Sequence, residues 1–327
     1  MRAVQVQEFG PPSGLVVAEV PDPEPGPGEV VIAVAAAGVN FPDILVVEGT
    51  YQNLPERPFS PGKEAAGTVL AVGEGVERLA VGQRVLTLVE HGAFTEQLLV
   101  PEELVVALPD EITFEQAAAF GLVYSTAYFG LVRRARLSEG EWVLVTGAGG
   151  GVGSAGVQLA KALGATVIAL ARDEERARLA REQGADVALT SDASTLRDDL
   201  LRVTGGHGVD VTLEMVGGDV LTQVVRATAW EGRVVIVGFA SGGQNPIKPG
   251  HLLVKNISVV GLQSSDYRDR TPELMRSTME EMLQLFVEGR ITIPVDSTFP
   301  LGKTGDALQA VKDGGIKGKV VIVPERA

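Results

Sequence analysis

The residues 146–153, TGAGGGVG, have the composition and spacing of a loop that binds a dinucleotide. An apolar run of strand length precedes this loop, a segment with helical spacing follows from Val152 to Leu163, and a second apolar run ends about 20 residues further on. Glycines let backbone N–H groups approach a pyrophosphate closely, and the N-terminus of the following helix favours its negative charge. A glycine run alone would also suit a flexible turn. The strand–loop–helix order instead predicts a nucleotide site that is formed by Gly150, Gly151, Val152 and Gly153.

The residues after the second predicted strand indicate which dinucleotide is bound. NAD sites place Asp or Glu here to accept from the ribose 2′-hydroxyl, whereas this chain has Ala171 and Arg172, followed by Arg176. Guanidinium groups bind phosphates through paired N–H groups, so two of them suit the 2′-phosphate of NADPH. Alternatively, both arginines pair only with the acidic residues 173–175 on a solvated helix face. The missing acid and the two arginines together favour NADPH.

The elements that position these residues alternate between strand and helix from residue 142 to about residue 260. Buried apolar strands that alternate with helices predict an α/β fold with a doubly wound, parallel Rossmann sheet. Residues before about 113 show short β-like runs between Gly/Pro turns instead, which is typical of a compact antiparallel barrel. After Ser264 the pattern predicts one long helix, with Thr271 as N-cap, Pro272 at its first position and Gly289 as its stop, and then a final strand. We therefore expect one domain from 1–121 and 265–327, with the Rossmann domain 122–264 inserted into it.

Composition excludes several classes of function. The chain of 327 residues has no cysteine, which removes disulfides, iron–sulfur clusters and every zinc site that needs a thiolate. Its net charge of −14 disfavours nucleic acid and anionic membranes as partners. No apolar stretch reaches the length of a membrane span, and the N-terminus lacks the pattern of a signal peptide, so we expect a cytoplasmic protein.

Three further motifs resemble those of the medium-chain dehydrogenase/reductase superfamily. They are AGVNFPD at 37–43, PGKEAAG at 61–67 and VGQRV at 81–85. Zinc alcohol dehydrogenases have metal-binding Cys and His in the first two motifs, where this chain has Asn40 and Lys63. The resemblance is therefore to the zinc-independent NADPH:quinone oxidoreductases, the zeta-crystallin-like family, and it implies no metal site and a GroES-like β-barrel catalytic domain.

This resemblance also implies roles for particular residues. Asn40, Asp43 and Tyr51 would line the substrate pocket, and Tyr51 and Asn40 would donate hydrogen bonds to a carbonyl oxygen. Tyr124 or Thr126 would lie near the nicotinamide, and Gly238 and Phe239 would contact it. The segment 257–262, the last strand in the Rossmann order, would form the interface of a homodimer.

Hydride transfer without a metal suits an acceptor that is already electrophilic. The sequence therefore predicts a reductase for a quinone or a similar carbonyl compound. An enone or enoyl-thioester reductase on the same scaffold is the nearest alternative, and a non-catalytic NADPH-binding structural protein is another.

Overall fold

The computed structural model of the protein describes residues 1–325 and divides into two compact units. The first comprises Met1–Leu122 and the part of the chain from Ser265 onward, and the second comprises Val123–Ser264. Each boundary between them lies within one residue of the expected domain boundaries.

The first unit is built mainly from short strands. Its elements before the insertion are β1 (Arg2–Gln5), β2 (Val16–Glu19), β3 (Glu29–Gly38), α1 (Phe41–Val47), β4 (Glu64–Val72), β5 (Arg84–Leu88), β6 (Gln97–Pro101), β7 (Val105–Ala107) and α2 (Phe114–Ala118). A helix, α3 (Gly121–Tyr128), continues into the second unit. The elements of the second unit are β8 (Trp142–Thr146), α4 (Gly151–Ala162), β9 (Thr166–Leu170), α5 (Glu174–Glu182), β10 (Val187–Leu189), α6 (Leu196–Val203), β11 (Val209–Glu214), α7 (Gly218–Ala227), β12 (Thr228–Ile236), α8 (Pro249–Leu253) and β13 (Ser258–Gly261). The chain then returns to the first unit with α9 (Ser265–Arg270), α10 (Pro272–Val287), β14 (Val295–Pro300), α11 (Thr304–Asp313) and β15 (Lys319–Val323).

The main sheet of the first unit joins the two separated parts of the chain. Its strand order is β14-β15-β3-β4-β5-β7, with β6 also paired to β3, and every pair is antiparallel except β14 with β15. The ten-residue β3 pairs with β4, β6 and β15. Its residues Val30, Val31 and Ile32 are almost fully buried, so this strand runs through the core of the unit.

The sheet of the second unit is parallel throughout, as predicted. Its strand order is β10-β9-β8-β11-β12-β13, with the chain reversing direction of winding between β8 and β11. The neighbouring strands β8 and β9 are apolar along most of their length because helices cover a parallel sheet on both faces. Leu144, Ile168 and Val234 from three of these strands are completely buried in one core cluster.

The prediction of one long helix after Ser264 is wrong in one respect. The chain forms the short helix α9 first, and the sixteen-residue α10 begins only at Pro272. Proline disfavours helical backbone in the residue before it, and Thr271 accordingly has φ −144° and ψ 62°. The expected start at Thr271–Pro272 is present, and Gly289 follows the end of α10 with φ +71°. Within residues 1–325, no helix has the length and apolar character needed to span a bilayer.

Candidate functional site

The glycine loop connects β8 to α4 in the second unit. Gly147 has a positive φ of 61°, and Gly150 is the N-cap of α4 with extended backbone, φ −93° and ψ 175°. The first intrahelical bond of α4 runs from the N–H of Ser154 to the carbonyl of Gly150 at 2.8 Å. The N–H groups of Gly151, Val152 and Gly153 precede that bond, so they lie at the positive end of the helix, where a diphosphate is favoured.

The shape of this loop requires glycine at two positions for different reasons. A Cβ atom on Gly153 would lie 2.2 Å from the carbonyl oxygen of Gly147, so only glycine lets α4 pack this closely against the loop. A Cβ atom on Gly150 would meet only that same oxygen, at 3.4 Å, and would otherwise project into open space. The loop therefore leaves room beside Gly150 for a group that must approach the backbone, and it fits a dinucleotide diphosphate.

Arg172 and Arg176 converge on one carboxylate at the carboxyl end of β9. Asp173, the N-cap of α5, accepts from the Arg176 side chain at 2.8 Å and from Arg172 Nε at 3.3 Å. The hydrogen bond from the Arg176 backbone N–H, together with these side-chain bonds, lowers the pKa of Asp173. The pairing with an acidic residue that the sequence left open is thus present, and Asp173 holds both guanidinium groups on one side of the strand.

Arg176 also lies against the glycine loop. A Cβ atom on Gly149 would come within 2.4 Å of Arg176 Cδ, so the arginine side chain covers that glycine. The side chain of Arg176 is 15% exposed and that of Arg172 is 61% exposed. Ala171, at the position of the ribose-binding acid in NAD sites, is buried. These residues fit a 2′-phosphate better than a free 2′-hydroxyl.

The loops after β11 and β12 lie at the same edge of the sheet as the glycine loop. Phe239 is 40% exposed and faces Gly217, where an added Cβ would lie 3.0 Å from its ring. The backbone N–H of Gly238 donates to the carbonyl of Glu214 at 3.4 Å. Gly238 and Phe239 thus follow the carboxyl end of β12, at the same edge of the sheet as the glycine loop, and open parallel sheets bind ligands at this edge.

Glu214 joins these loops and was not predicted from the sequence. Its buried carboxylate accepts from Thr146 Oγ1 at 3.1 Å and from the N–H groups of Val216 and Gly217. Burial raises the pKa of Glu214 despite these bonds. A single acidic residue at the end of a predicted strand gave no signal of this role, because its partner Thr146 is 68 residues away.

The two residues expected near the nicotinamide are both buried. Thr126 Oγ1 lies 2.9 Å from the hydroxyl of Ser264, and Tyr124 accepts from Gln158 Nε2 at 3.0 Å. Burial raises the pKa of Tyr124 well above its ordinary value. These two hydrogen bonds are with other residues of the second unit, and the predicted contact of Thr126 with the cofactor stays a prediction.

Asn40, in the first unit, lies in a buried polar cluster at the start of α1. Its side-chain amide donates to Glu64 Oε1 at 2.7 Å and to the carbonyl of Gly38 at 3.3 Å, and its oxygen accepts from Lys319 Nζ. Lys319 also binds Glu64 at 3.0 Å. These contacts use both amide hydrogens, so in this arrangement Asn40 has none left for a substrate carbonyl. Asn40 instead connects the start of α1 to Glu64 and Lys319, contrary to the expectation that it donates to the acceptor.

Asp43 lies one turn further along α1 and is 1% exposed. Its Oδ2 accepts from the backbone N–H of Asn40 at 2.8 Å, while Oδ1 has no hydrogen-bond partner among residues 1–325. Burial raises the pKa of Asp43 to about 7, although Lys63 and Lys319 act to lower it. The carboxyl group therefore lies below the surface that it was expected to line.

Lys63 forms a second polar cluster with Glu90 and Arg268. Its ammonium donates to the carbonyl and the carboxylate of Glu90 at 2.9 and 2.8 Å, and Arg268 binds the other carboxylate oxygen at 2.9 Å. The ring of Tyr51 lies beside this cluster, with Lys63 Nζ 4.6 Å from its centroid. Tyr51 thus lies close to Lys63, the second motif's residue at the metal-ligand position of zinc alcohol dehydrogenases. The side chain of Tyr51 is half-buried.

Most of the polar partners in the two clusters could not be predicted from the sequence. Glu64 belongs to a motif that was noted, but Glu90, Arg268 and Lys319 are isolated charged residues without a local pattern. Within the described part of the chain, no group of three or more His, Cys, Asp or Glu side chains is arranged to hold a metal ion. The side chains of Asn40 and Lys63 bind protein groups instead: the amide of Asn40 binds Glu64 and Lys319, and the ammonium of Lys63 binds Glu90.

Comparison with known families and proteins agrees with this architecture. Residues 26–110 match the alcohol dehydrogenase GroES-like domain, and residues 151–287 match the family described as zinc-binding dehydrogenase. The chain is 39% identical over 325 residues to a quinone oxidoreductase-like protein 2 homolog of Nematostella vectensis, covering 98% of this chain and 88% of that protein.

Two solved structures are similar over nearly their whole length. A mycobacterial protein complexed with NADPH has a TM-score of 0.92 and 33% identity, covering 99% of this chain and 100% of the other. An Escherichia coli quinone oxidoreductase complexed with NADPH has a TM-score of 0.91 and 29% identity, with the same coverage. The chain belongs to the quinone oxidoreductase family of the medium-chain dehydrogenases/reductases.

Proposed function

We propose that this protein is a zinc-independent reductase that transfers hydride from NADPH to a quinone or a similar electrophilic carbonyl compound. The observation that carries the proposal is the pair of polar clusters around Asn40 and Lys63. The amide of Asn40 binds Glu64 and Lys319, and the ammonium of Lys63 binds Glu90. Residues at the two positions that resemble metal-ligand positions are thus held by protein partners, and one of them carries its own positive charge.

NADPH fits the second unit through two groups of residues. The N–H groups at the start of α4 would bind the diphosphate, and the guanidinium groups of Arg176 and Arg172 would bind the 2′-phosphate. When bound, NADPH supplies the hydride from its nicotinamide ring. The two similar structures solved with NADPH support this choice of cofactor.

Tyr51 is the residue that we assign to the acceptor. Its hydroxyl would donate a hydrogen bond to the carbonyl oxygen on which negative charge develops during reduction. Asn40 and Asp43 fix the start of α1. The Asn40 amide donates to Glu64, and the Asp43 carboxylate accepts from the backbone N–H of Asn40. A quinone or an enone is electrophilic enough to need only such hydrogen-bond polarisation, whereas an unactivated ketone or alcohol would need a Lewis acid.

The test is a steady-state screen of acceptors with NADPH and with NADH. Benzoquinones and naphthoquinones should give the highest kcat/KM, with simple enones below them and enoyl-CoA esters lowest. A preference for enoyl-CoA esters would instead support the thioester reductase, and cofactor oxidation with none of the acceptors would support a structural NADPH-binding protein.

Zinc independence is tested on the same preparation. We expect the purified protein to contain less than about 0.1 zinc per chain, which is the level of trace contamination. The rate of quinone reduction should not change after treatment with a chelator. One zinc per chain, lost together with activity in the chelator, would contradict the proposal.

A further inference from the structure

Lys63 is a buried lysine whose backbone is fixed on both sides. Gly62 precedes it with φ +100°, and a Cβ there would lie 2.7 Å from the ring of Phe94, so glycine is required at that turn. The N–H groups of Ala93 and Val89 donate to the carbonyls of Gly62 and Lys63, at 3.1 and 2.9 Å. The side chain of Lys63 therefore begins from a backbone that two neighbouring segments hold in place.

The ammonium of Lys63 is equally well fixed. Two of its three hydrogens are directed to Glu90, one to the carbonyl and one to the carboxylate, and the side chain is only 5% exposed. Glu90 is itself held by Arg268, which also binds Asp269 at 2.6 Å. The cation is paired, so its burial is compensated, and its position is determined by a network of charged residues rather than by solvent.

Tyr51 lies over this cation. The distance of 4.6 Å from Lys63 Nζ to the ring centroid is within the range of a cation–π contact, which holds a ring by its face. The Tyr51 backbone follows the end of α1, with its N–H bonded to the carbonyl of Leu45 at 3.1 Å. Main chain and ring are thus held separately, and the ring is held by the buried ammonium as well as by packing against the apolar core of the unit.

We propose that Lys63 is a positioning residue for Tyr51: its ammonium, fixed by Glu90, holds the phenol ring and directs the Tyr51 hydroxyl toward the acceptor. The proposal rests on the proposed function, since it is Tyr51 that would polarise the acceptor carbonyl. The positive charge at the ring also strengthens the O–H of Tyr51 as a hydrogen-bond donor while negative charge develops on the acceptor.

The first test is a double-mutant cycle of Lys63→Met and Tyr51→Phe with a quinone acceptor. Lys63→Met and Tyr51→Phe should each lower kcat/KM about tenfold and leave the KM for NADPH unchanged. In the Tyr51→Phe background, Lys63→Met should cost less than about threefold, because Lys63 acts through the hydroxyl that is already removed. Lys63→Arg, which keeps the positive charge, should retain more activity than Lys63→Met.

Lys303→Met is the matched control, because it removes a lysine from an exposed pair with Asp306 in the same unit. It should change neither kinetic constant. Fully additive losses in the cycle would overturn the proposal. If Lys63→Met does not fold, Lys63→Gln takes its place, since the amide can still donate to the Glu90 carbonyl.

The second test reads the position of the ring without any reaction. The chain has four tyrosines, so protein labelled with ¹³C in its tyrosine rings gives few NMR signals, and Tyr51→Phe identifies that of Tyr51. Lys63→Met should shift and broaden the Tyr51 signal and leave the others in place, and Lys303→Met should change none. An unshifted Tyr51 signal would contradict the proposal, whereas a shifted signal in a protein that reduces no acceptor would contradict only the proposed function.

Discussion

At the scale of single residues, Asp43 has an unusual environment for a carboxyl group. Burial raises its pKa to about 7, above the ordinary value of 3.8. The folded protein therefore binds this proton more tightly than the unfolded chain does. Between these two pH values the contribution of Asp43 to stability falls as the pH rises, by at most about 1.4 kcal/mol per pH unit, and above pH 7 it changes no further.

We therefore predict that Asp43→Asn becomes more stabilising, relative to the wild type, as the pH rises from 5 to 7. The asparagine can keep the bond from the Asn40 N–H without carrying a charge. Urea unfolding at pH 5, 6, 7 and 8 measures the difference in free energy of unfolding, which should grow by up to about 2.7 kcal/mol and then level off. Asp306→Asn, at a site 64% exposed, is the control and should show no such trend. A difference independent of pH would contradict the raised pKa.

The two arginines beside the glycine loop make unequal predictions. Arg176→Ala should raise the KM for NADPH at least tenfold, because a charge-assisted contact to phosphate contributes about 1.5–3 kcal/mol. Arg172→Ala should have a smaller effect, since Arg172 is 61% exposed and solvent and salt screen its charge. Neither change should alter the KM for NADH.

Arg178→Ala is the matched control for both changes. Arg178 lies on α5, the same helix as Arg176, and pairs with Glu182 rather than with Asp173. The Arg178→Ala substitution should leave the KM for NADPH and the KM for NADH unchanged. If Arg176→Ala changed stability but not the preference for NADPH, the arginines would serve only to pair with Asp173.

At the scale of elements, two glycines where α4 packs against the glycine loop have different functions. Gly153 permits the close approach of helix and loop, whereas Gly150 leaves space beside the backbone. Gly153→Ala should therefore lower the free energy of unfolding by about 1–3 kcal/mol, as overpacking does, and weaken NADPH binding as well.

Gly150→Ala should behave differently. Its backbone, with φ −93°, is open to any residue, so stability should change by less than about 0.5 kcal/mol. The added methyl group would occupy the space proposed for the diphosphate, and we expect about tenfold weaker NADPH binding in a fluorescence titration. Equal effects of the two substitutions on stability would contradict this division.

The elements were more predictable from the sequence than the contacts between them. The Rossmann strands, the glycine loop and the start of α10 follow local rules of periodicity, capping and glycine spacing. Asn40, by contrast, binds Lys319, a residue 279 positions away, and the partners of Lys63 lie at Glu90 and, through it, at Arg268. The pairs of Asn40 depend on how β3, β4 and β15 come together, and those of Lys63 depend on the positions of the loop after β5 and of α9. No local pattern specifies them. The sequence therefore identified the motifs but assigned Asn40 a donor role that its actual partners preclude.

At the scale of the whole molecule, the strand β13 determines our prediction of assembly. It is the last strand of the Rossmann sheet and pairs only with β12 among the described strands, so it presents an edge. An unpaired edge invites pairing with a second copy. We predict a homodimer in sedimentation experiments at micromolar concentration, and Ser258→Lys, which brings two positive charges together at the edge, should shift it toward monomer. A wild-type protein that sediments only as a monomer would contradict this prediction.

The hydrogen bond between Thr126 and Ser264 has a consequence for how this architecture can change. These residues lie near the two ends of the stretch Val123–Ser264, and their hydroxyl groups are 2.9 Å apart. The stretch therefore leaves the host chain and returns to it at nearly one point, which is the geometry that makes domain insertion tolerable. A recombination event or an engineered graft would need only two neighbouring junctions to exchange the whole nucleotide-binding cassette. Because we propose that the second unit binds the cofactor and that Tyr51 of the first unit binds the acceptor, we expect such an exchange to change cofactor preference separately from acceptor preference.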